Sequence, residues 1–250
     1  MRKICVINYK GGTGKTSTVV NLGHALAIKG HKVLIIDTDP QGSAGHHLGI
    51  QTPHTLYDIL IDDSDFEKCI VNTRKNLDII CSNERLFPAE MTMSKWKERE
   101  LVLARRLQKV KGYDFILVDC APNMNLLNQN VLLYAGELML PVSMEYLSLI
   151  GVKQLLKNIK ILNKVFTREI NVSKVIPTFF DKRYKKSNDI VESLKRVFPG
   201  LISTPIRNSI SLSEAPGFRR TVFEHAPRSK GAEDYLKLAE EVINGKKRTI

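Results

Sequence analysis

Short runs of β-branched and other apolar residues alternate along this chain with longer stretches whose apolar side chains recur at helical spacing. Lys3–Tyr9 (KICVINY) predicts a first strand, and Thr16–Lys29 a helix whose Val19, Val20, Leu22, Ala25, Leu26 and Ile28 form one broad apolar face. Gly30 predicts its end, because glycine takes positive φ without a steric penalty. Val33–Asp37 (VLIID) is apolar almost throughout, as strands buried on both faces of a parallel sheet are. The same reading places strands at Leu77–Cys81, Phe115–Asp119, Leu138–Val142 and Val172–Phe179. It places helices at Lys95–Lys111, Leu149–Phe166, Asn188–Phe198 and Glu233–Ile243, and loop-rich segments over Gln41–Thr55 and Phe180–Lys186. Such alternation implies right-handed crossovers between parallel strands. The expected fold is therefore α/β: one domain over residues 1–250, a largely parallel twisted sheet with helices on both faces.

Composition changes this picture in one respect. Hydrophobic residues make up 43% and charged residues 26%, an ordinary globular balance, but the net charge is +12. Such an excess points to a polyanionic partner, nucleic acid or an anionic membrane surface. No apolar run approaches the ~18 residues of a membrane span. The apolar stretch after Met1-Arg2-Lys3 is too short for a signal peptide, so the cytoplasm is the expected location. The four cysteines, Cys5, Cys69, Cys81 and Cys120, form no CxxC and read as reduced, buried thiols. His46, His47 and His54 lie near one another without further ligands at useful spacing, so they read as no metal site. Trp96 reads as a packing residue on its helix, and the basic tail Lys246-Lys247-Arg248 has no bulky apolar neighbour but Ile250.

The candidate chemistry sits between the first strand and the first helix. Lys10-Gly11-Gly12-Thr13-Gly14-Lys15-Thr16 departs from the phosphate-loop pattern G-x-x-x-x-G-K-[ST] only at Tyr9, where the first glycine would stand. Small residues let backbone N–H groups turn inward into an anion nest, and the helix N-terminus adds partial positive charge. Lys15 then reaches the β- and γ-phosphates, and the Thr16 hydroxyl ligates Mg²⁺. This predicts a P-loop NTPase that binds ATP with Mg²⁺ and hydrolyses it. Two strands end in carboxylates at the sheet edge where ligands bind in such folds: Asp37, with Asp39 two residues on in a turn set by Pro40, and Asp119. Asp119 suits the aspartate that holds Mg²⁺ through water.

The K-G-G-T-G-K-T box resembles the deviant Walker A motif of the ParA/MinD ATPases. Asp37-Thr38-Asp39-Pro40-Gln41 is similar to that family's D-x-D-P-Q segment, and Leu140–Tyr146 followed by Gly151 to its P-V-x-x-E-Y segment. Phe180-Asp181-Lys182-Arg183 resembles Y-D-x-R, Leu212–Pro216 is L-S-E-A-P, and Ser229–Ala232 is S-K-G-A, so the resemblance spans nearly the whole chain. It implies that Lys10 crosses a dimer interface to the phosphates of a partner subunit, as an arginine finger does. It implies that Asp39 orients or deprotonates the attacking water and that Asp37 supports Lys15 or the magnesium shell. The implied nucleotide-binding set is Lys10, Gly11, Gly12, Thr13, Gly14, Lys15, Thr16 and Ser17, with Thr178 and Pro205 near the adenine; the metal set is Thr16, Asp37 and Asp119.

No DNA-binding domain precedes the loop, so the likeness is to the short ParA/Soj-type chromosomal and plasmid partition ATPases. The family implies an ATP-bound homodimer on nucleoid DNA, released when a ParB-type centromere-binding partner stimulates hydrolysis. Candidate DNA contacts are Lys182, Arg183, Lys185 and Lys186 in one loop, with Arg207, Arg219 and Arg220. The chain departs from the family twice. Asp119-Cys120-Ala121-Pro122-Asn123 stands for D-C-P-P-S, and Ile206-Arg207-Asn208-Ser209-Ile210-Ser211 puts serine where P-R-N-V-R has its second arginine. Three other readings are open: a MinD-like membrane-associated ATPase, a nucleoid-bound ATPase positioning a protein cargo, and an electron-transfer ATPase with a shared cluster. Glu233, Asp234, Glu240 and Glu241 on the last helix disfavour the membrane, and the scattered cysteines disfavour the cluster.

Overall fold

A computed structural model describes residues 1–245; the tail Lys246–Ile250 lies outside them. The strands are β1 (Arg2–Val6), β2 (Val33–Asp37), β3 (Ile70–Arg74), β4 (Leu77–Ile80), β5 (Phe115–Asp119), β6 (Glu137–Ser143) and β7 (Asn171–Thr178). They form one sheet in the order β3-β4-β2-β5-β1-β6-β7, parallel except for the edge pair β3–β4. The helices are α1 (Lys15–Ile28), α2 (Ser43–Leu48), α3 (Leu56–Leu60), α4 (Phe66–Cys69), α5 (Leu86–Met93), α6 (Val102–Arg106), α7 (Leu126–Ala135), α8 (Tyr146–Phe166), α9 (Lys185–Val197), α10 (Ile210–Glu214), α11 (Val222–His225) and α12 (Lys230–Asn244).

The two faces of the sheet follow from strand alternation. Ile4, Val6, Val33, Ile35 and Leu117 face one core with Val19, Leu22 and Leu26 of α1 and Tyr235, Leu238 and Val242 of α12. Cys5, Leu34, Ile36, Ile116 and Val118 face the other, with Leu127 and Val131 of α7 and Val152, Leu155 and Ile159 of α8. Burying one such Leu or Ile contributes about 1.5–3 kcal/mol. All four cysteines are buried and unpaired. Gly30 ends α1 as the sequence predicts, at φ +92°.

Some expectations need correction. Lys95–Lys111 is not one helix. Glu98 takes φ +51°, a 3₁₀ turn covers Arg99–Leu101, and only Val102–Arg106 is α-helical. The cause is Asn130 of α7, whose amide donates to the Arg99 carbonyl (2.8 Å) while its Oδ1 accepts the Leu103 N–H (3.1 Å), taking backbone groups a continuous helix would use. The loop-rich segment Gln41–Thr55 holds the short α2. Lys185 and Lys186 belong to the first turn of α9, not to a loop. The edge strand β3 and the helices α5 and α7 were not foreseen from the pattern of apolar residues.

Helix α2 buries His47 (4% exposed), whereas His46 and His54 face solvent. Burial pushes the His47 imidazole pKa down to about 4. An unfolded histidine titrates near ~6.5, so between these values the unfolded chain takes a proton that the native state refuses. Stability therefore falls as pH drops from about 6.5 toward 4, by about 3 kcal/mol from this group. His47→Leu is expected to remove that part of the acid sensitivity, read from urea unfolding at neutral and acid pH. An unchanged pH response in the variant would assign the loss elsewhere.

Candidate nucleotide site

The turn from β1 into α1 is built on glycine. Gly14 caps α1 at φ +86° and Gly12 sits at φ +69°, conformations an L side chain resists. Among the described residues, no backbone N–H from Gly11 to Ser17 donates to a protein acceptor. A row of free donors at a helix N-terminus is an anion cradle. Lys15 opens α1 and is largely buried, with its Nζ 3.3 Å from the Lys10 carbonyl. Burial pushes its ammonium pKa down, and the neighbouring Asp119 carboxylate acts in the opposite sense. Thr178, at the end of β7, donates its hydroxyl to the Thr13 carbonyl (2.9 Å) and so steadies the loop from the far side. Asn8 does the same from below, donating to the Pro141 carbonyl (2.7 Å) and accepting the Lys10 N–H (3.0 Å).

The carboxylates meet at adjacent strand ends. Asp37 and Asp119 are register partners in β2 and β5, and Val6 of β1 pairs with Asp119. Asp37 is fully buried, and its oxygens accept the N–H groups of Asp39 (3.0 Å) and Ala44 (2.9 Å). It pins the Asp39 turn and the start of α2. Burial pushes its pKa up to about 6, against those two bonds. Asp119 is different. Both its oxygens are buried and neither has a hydrogen-bond partner. Burial, then the Asp37 charge, push its pKa well up, while the Thr16 hydroxyl and Lys15 act to lower it. A buried carboxylate without hydrogen-bond partners beside a second buried carboxylate is costly in protein alone.

A hard divalent cation would relieve that cost, and the oxygen donors of Asp119 and Thr16 suit Mg²⁺. The residues therefore fit the ion, with Asp37 acting through the backbone it holds. Asp39 is half-buried at the mouth, and its Oδ1 accepts the Gln41 N–H (3.0 Å). Its carbonyl accepts the Ser82 hydroxyl (2.5 Å) and the Gly42 N–H (2.9 Å).

A cleft of about 530 Å³ opens over the loop, lined in part by Lys10, Glu145, Phe179, Lys186 and Asn208. The Lys10 ammonium forms an ion pair with Glu145 and lies 3.4 Å from the Ser148 hydroxyl, at the start of α8. Pro205 does not line this cleft. It stands half-buried beside β7, where the next residue, Ile206, donates its N–H to the Pro177 carbonyl (2.8 Å). Phe179, at φ +54°, and Asn208, whose N–H donates to the Phe180 carbonyl (3.0 Å), stand at the cleft instead. Sequence reading missed both; the signal for Asn208 was the R-N step of its segment.

The basic candidates differ in what holds them. Lys182, Lys185, Arg219 and Arg220 are exposed. Arg183 is exposed but folded back on Asp181, at 2.6 Å. Lys186 lines the nucleotide cleft. Arg207 is committed to the structure: its Nη2 lies 2.6 Å from both Asp234, which is buried, and Glu233.

An AAA domain matches residues 1–172. The chain is 39% identical over 245 residues to the sporulation initiation inhibitor protein Soj of Bacillus subtilis, covering 96% of this chain and 97% of that one. The chain belongs to the ParA/Soj family of partition ATPases. It is likewise 32% identical over 252 residues to the chromosome partitioning protein ParA of Caulobacter vibrioides, covering 98% and 94% of the two. In structure it is similar to the septum site-determining protein MinD of Pyrococcus horikoshii in complex with Mg-ADP, at a TM-score of 0.81 and 28% identity over 97% of this chain and 96% of that one. As a ParA/Soj-family member the chain is a P-loop ATPase. Its central parallel sheet and single P-loop are those of the family, and the antiparallel β3 closes one edge.

Proposed function

We propose that this ParA/Soj-family protein, acting as one ATPase domain, is a DNA-partition switch: two Mg-ATP-bound copies close face to face, the dimer holds DNA by its phosphates, and hydrolysis releases it. The observation that carries this reading is Lys10. Its carbonyl serves Lys15 in its own loop, but its ammonium turns away to Glu145 and Ser148. A cation at the loop that does not serve its own cradle is available to a second copy. In the closed dimer the Lys10 ammonium exchanges Glu145 for the partner's phosphates and stabilises charge on the transferring group.

Within each copy, Gly11–Ser17 and Lys15 hold the phosphates. Thr16 and Asp119 hold Mg²⁺, whose charge neutralises the phosphate oxygens. Asp39 orients the water, and Asp37 fixes Asp39 by accepting its N–H. Thr178 steadies the loop through Thr13, and Phe179 and Asn208, rather than Pro205, meet the base. The partner that accelerates turnover is of the ParB centromere-binding type, which puts the working protein on the nucleoid.

DNA contact falls to the exposed cations Lys182, Lys185, Arg219 and Arg220. Lys182→Ala and Lys185→Ala together are expected to weaken ATP-dependent DNA binding uniformly across sequences and to lower the salt slope by about 1 per residue. Arg207→Ala is expected to act on stability, because it leaves Asp234, which is 2% exposed, with the residue-207 N–H but without its charged partner. A salt-titrated DNA-binding assay with ATP, ADP and no nucleotide tests the whole reading. Binding that ignores the nucleotide, or no binding, would remove the DNA switch.

The membrane alternative has a specific observation against it. The apolar face of α12 is spent in the core through Ala232, Tyr235, Leu238, Ala239 and Val242. Its acids are tied to Arg207, Lys29 and Lys174. No helix among the described residues is long and apolar enough to cross a membrane.

A further inference from the structure

We propose that Asn128 is a positioning residue for hydrolysis: its side-chain amide clamps the loop that follows Asp119, in place of the proline that position 121 lacks. The inference rests on Asp119 as the carboxylate on the Mg²⁺ side of the site. Asn128 lies in the first turn of α7 and is fully buried. Its Nδ2 donates to the carbonyls of Ala121 (2.9 Å) and Asn123 (2.5 Å). Both N–H bonds of one amide are thus committed to the segment immediately after Asp119. The Asn128 backbone N–H is held in turn by Oδ1 of Asn125, the cap of α7 (2.8 Å). From α5, Glu90 accepts the Leu127 N–H (3.1 Å) and fixes the same turn from outside.

The other end of the loop is equally tied. The Asp119 carbonyl accepts the N–H (3.0 Å) and the hydroxyl (2.6 Å) of Thr38. Between these anchors lie residues 120–124, with one proline among them. The ParA/MinD pattern carries two prolines here, and this chain has only Pro122. Proline would fix φ at 121. The Ala121 N–H donates to no protein acceptor among the described residues, so a proline there would break no bond.

The plain alternative is that Asn128 is a packing residue at a helix start. Its Oδ1 argues against that, because it is buried with no partner. An unpaired buried acceptor is a cost that an apolar side chain of similar size would not incur. What asparagine alone supplies is two donors at one point, aimed at two successive turns of the loop. A shift of that loop is a shift of Asp119, whose carboxylate geometry the metal demands within tight limits.

The test compares Asn128→Ala, Ala121→Pro and the double variant by two readouts. One is the Mg²⁺ dependence of ATP turnover. The other is the Mg²⁺ dependence of binding of N-methylanthraniloyl-ATP, followed by fluorescence. Asn128→Ala is expected to need ~10-fold more Mg²⁺ in both. Ala121→Pro should match the parent protein, and the double variant should return to within about twofold of it, since the proline restores by covalent stiffness what the amide supplied. An unchanged Mg²⁺ requirement in Asn128→Ala overturns the clamp, as does a loss that Ala121→Pro leaves in place. Should the single variant fail to fold, the double variant decides alone, and one that stays unfolded overturns the proposal. Asp119→Asn separates the two readings: if it keeps the parent response to Mg²⁺, the assignment of Asp119 fails and not the clamp.

Discussion

Lys10→Ala is expected to bind ATP within a few-fold of the parent protein and yet hydrolyse it about 10³-fold more slowly, the scale on which a cation supplied in trans acts. The split follows from where the two ends of the residue go. The backbone carbonyl, which alanine keeps, is the acceptor for the buried Lys15 ammonium. The side-chain ammonium, which alanine removes, meets Glu145, just before α8, and Ser148 in its first turn, and leaves its own loop untouched. ATP-dependent dimerisation, measured by light scattering, should be lost along with turnover. Equal loss of binding and turnover would place the ammonium in its own site, and parent-like turnover and dimerisation would remove the trans role altogether. Lys15→Ala is the control that should lose nucleotide binding itself.

The second large effect has two signs. Asp119→Asn should lower Mg²⁺-dependent hydrolysis by at least ~10²-fold, because it removes the charge that holds the metal against the phosphates. The same change should raise the thermal midpoint of the nucleotide-free protein. Asp119 is a fully buried carboxylate with two unpartnered oxygens beside the equally buried Asp37. Neutralising one of the pair relieves both burial and repulsion, so the midpoint should rise. Differential scanning calorimetry without nucleotide reads it. A lower midpoint would mean that the pair is already compensated in the free protein. The opposed signs are what distinguish a binding residue from a structural one.

Much of this is legible in the sequence. The strands β2 and β5 could be read to the residue because a strand buried on both faces must be apolar throughout, and each ends where its carboxylate begins. The P-loop could be read because its glycines, lysine and threonine have few reasons to stand together other than a phosphate. What was not legible depended on contacts distant in sequence. The charged stretch Lys95–Lys111 has helical spacing, but Asn130 captures its backbone from another helix. The short edge strand β3 (IVNTR) is half-polar and makes sense only against β4. Arg207 looked like a surface cation because nothing in its neighbourhood reveals Asp234, 27 residues on. Pro205 was placed near the base by resemblance alone, whereas the turn that brings Asn208 to the cleft is set by its pairing with Phe180.

The packing of α12 on α1 bears on how the molecule comes into being. The Tyr235 hydroxyl lies 3.4 Å from that of Thr18, one turn from Lys15, and Leu238 and Val242 complete the core beneath the P-loop helix. β1 likewise has both its neighbours, β5 and β6, more than a hundred residues downstream. The first helix therefore finds part of the surface it rests on more than two hundred residues downstream. A fragment ending before α12 would carry the whole Lys10–Thr16 loop and still lack the apolar floor against which α1 packs.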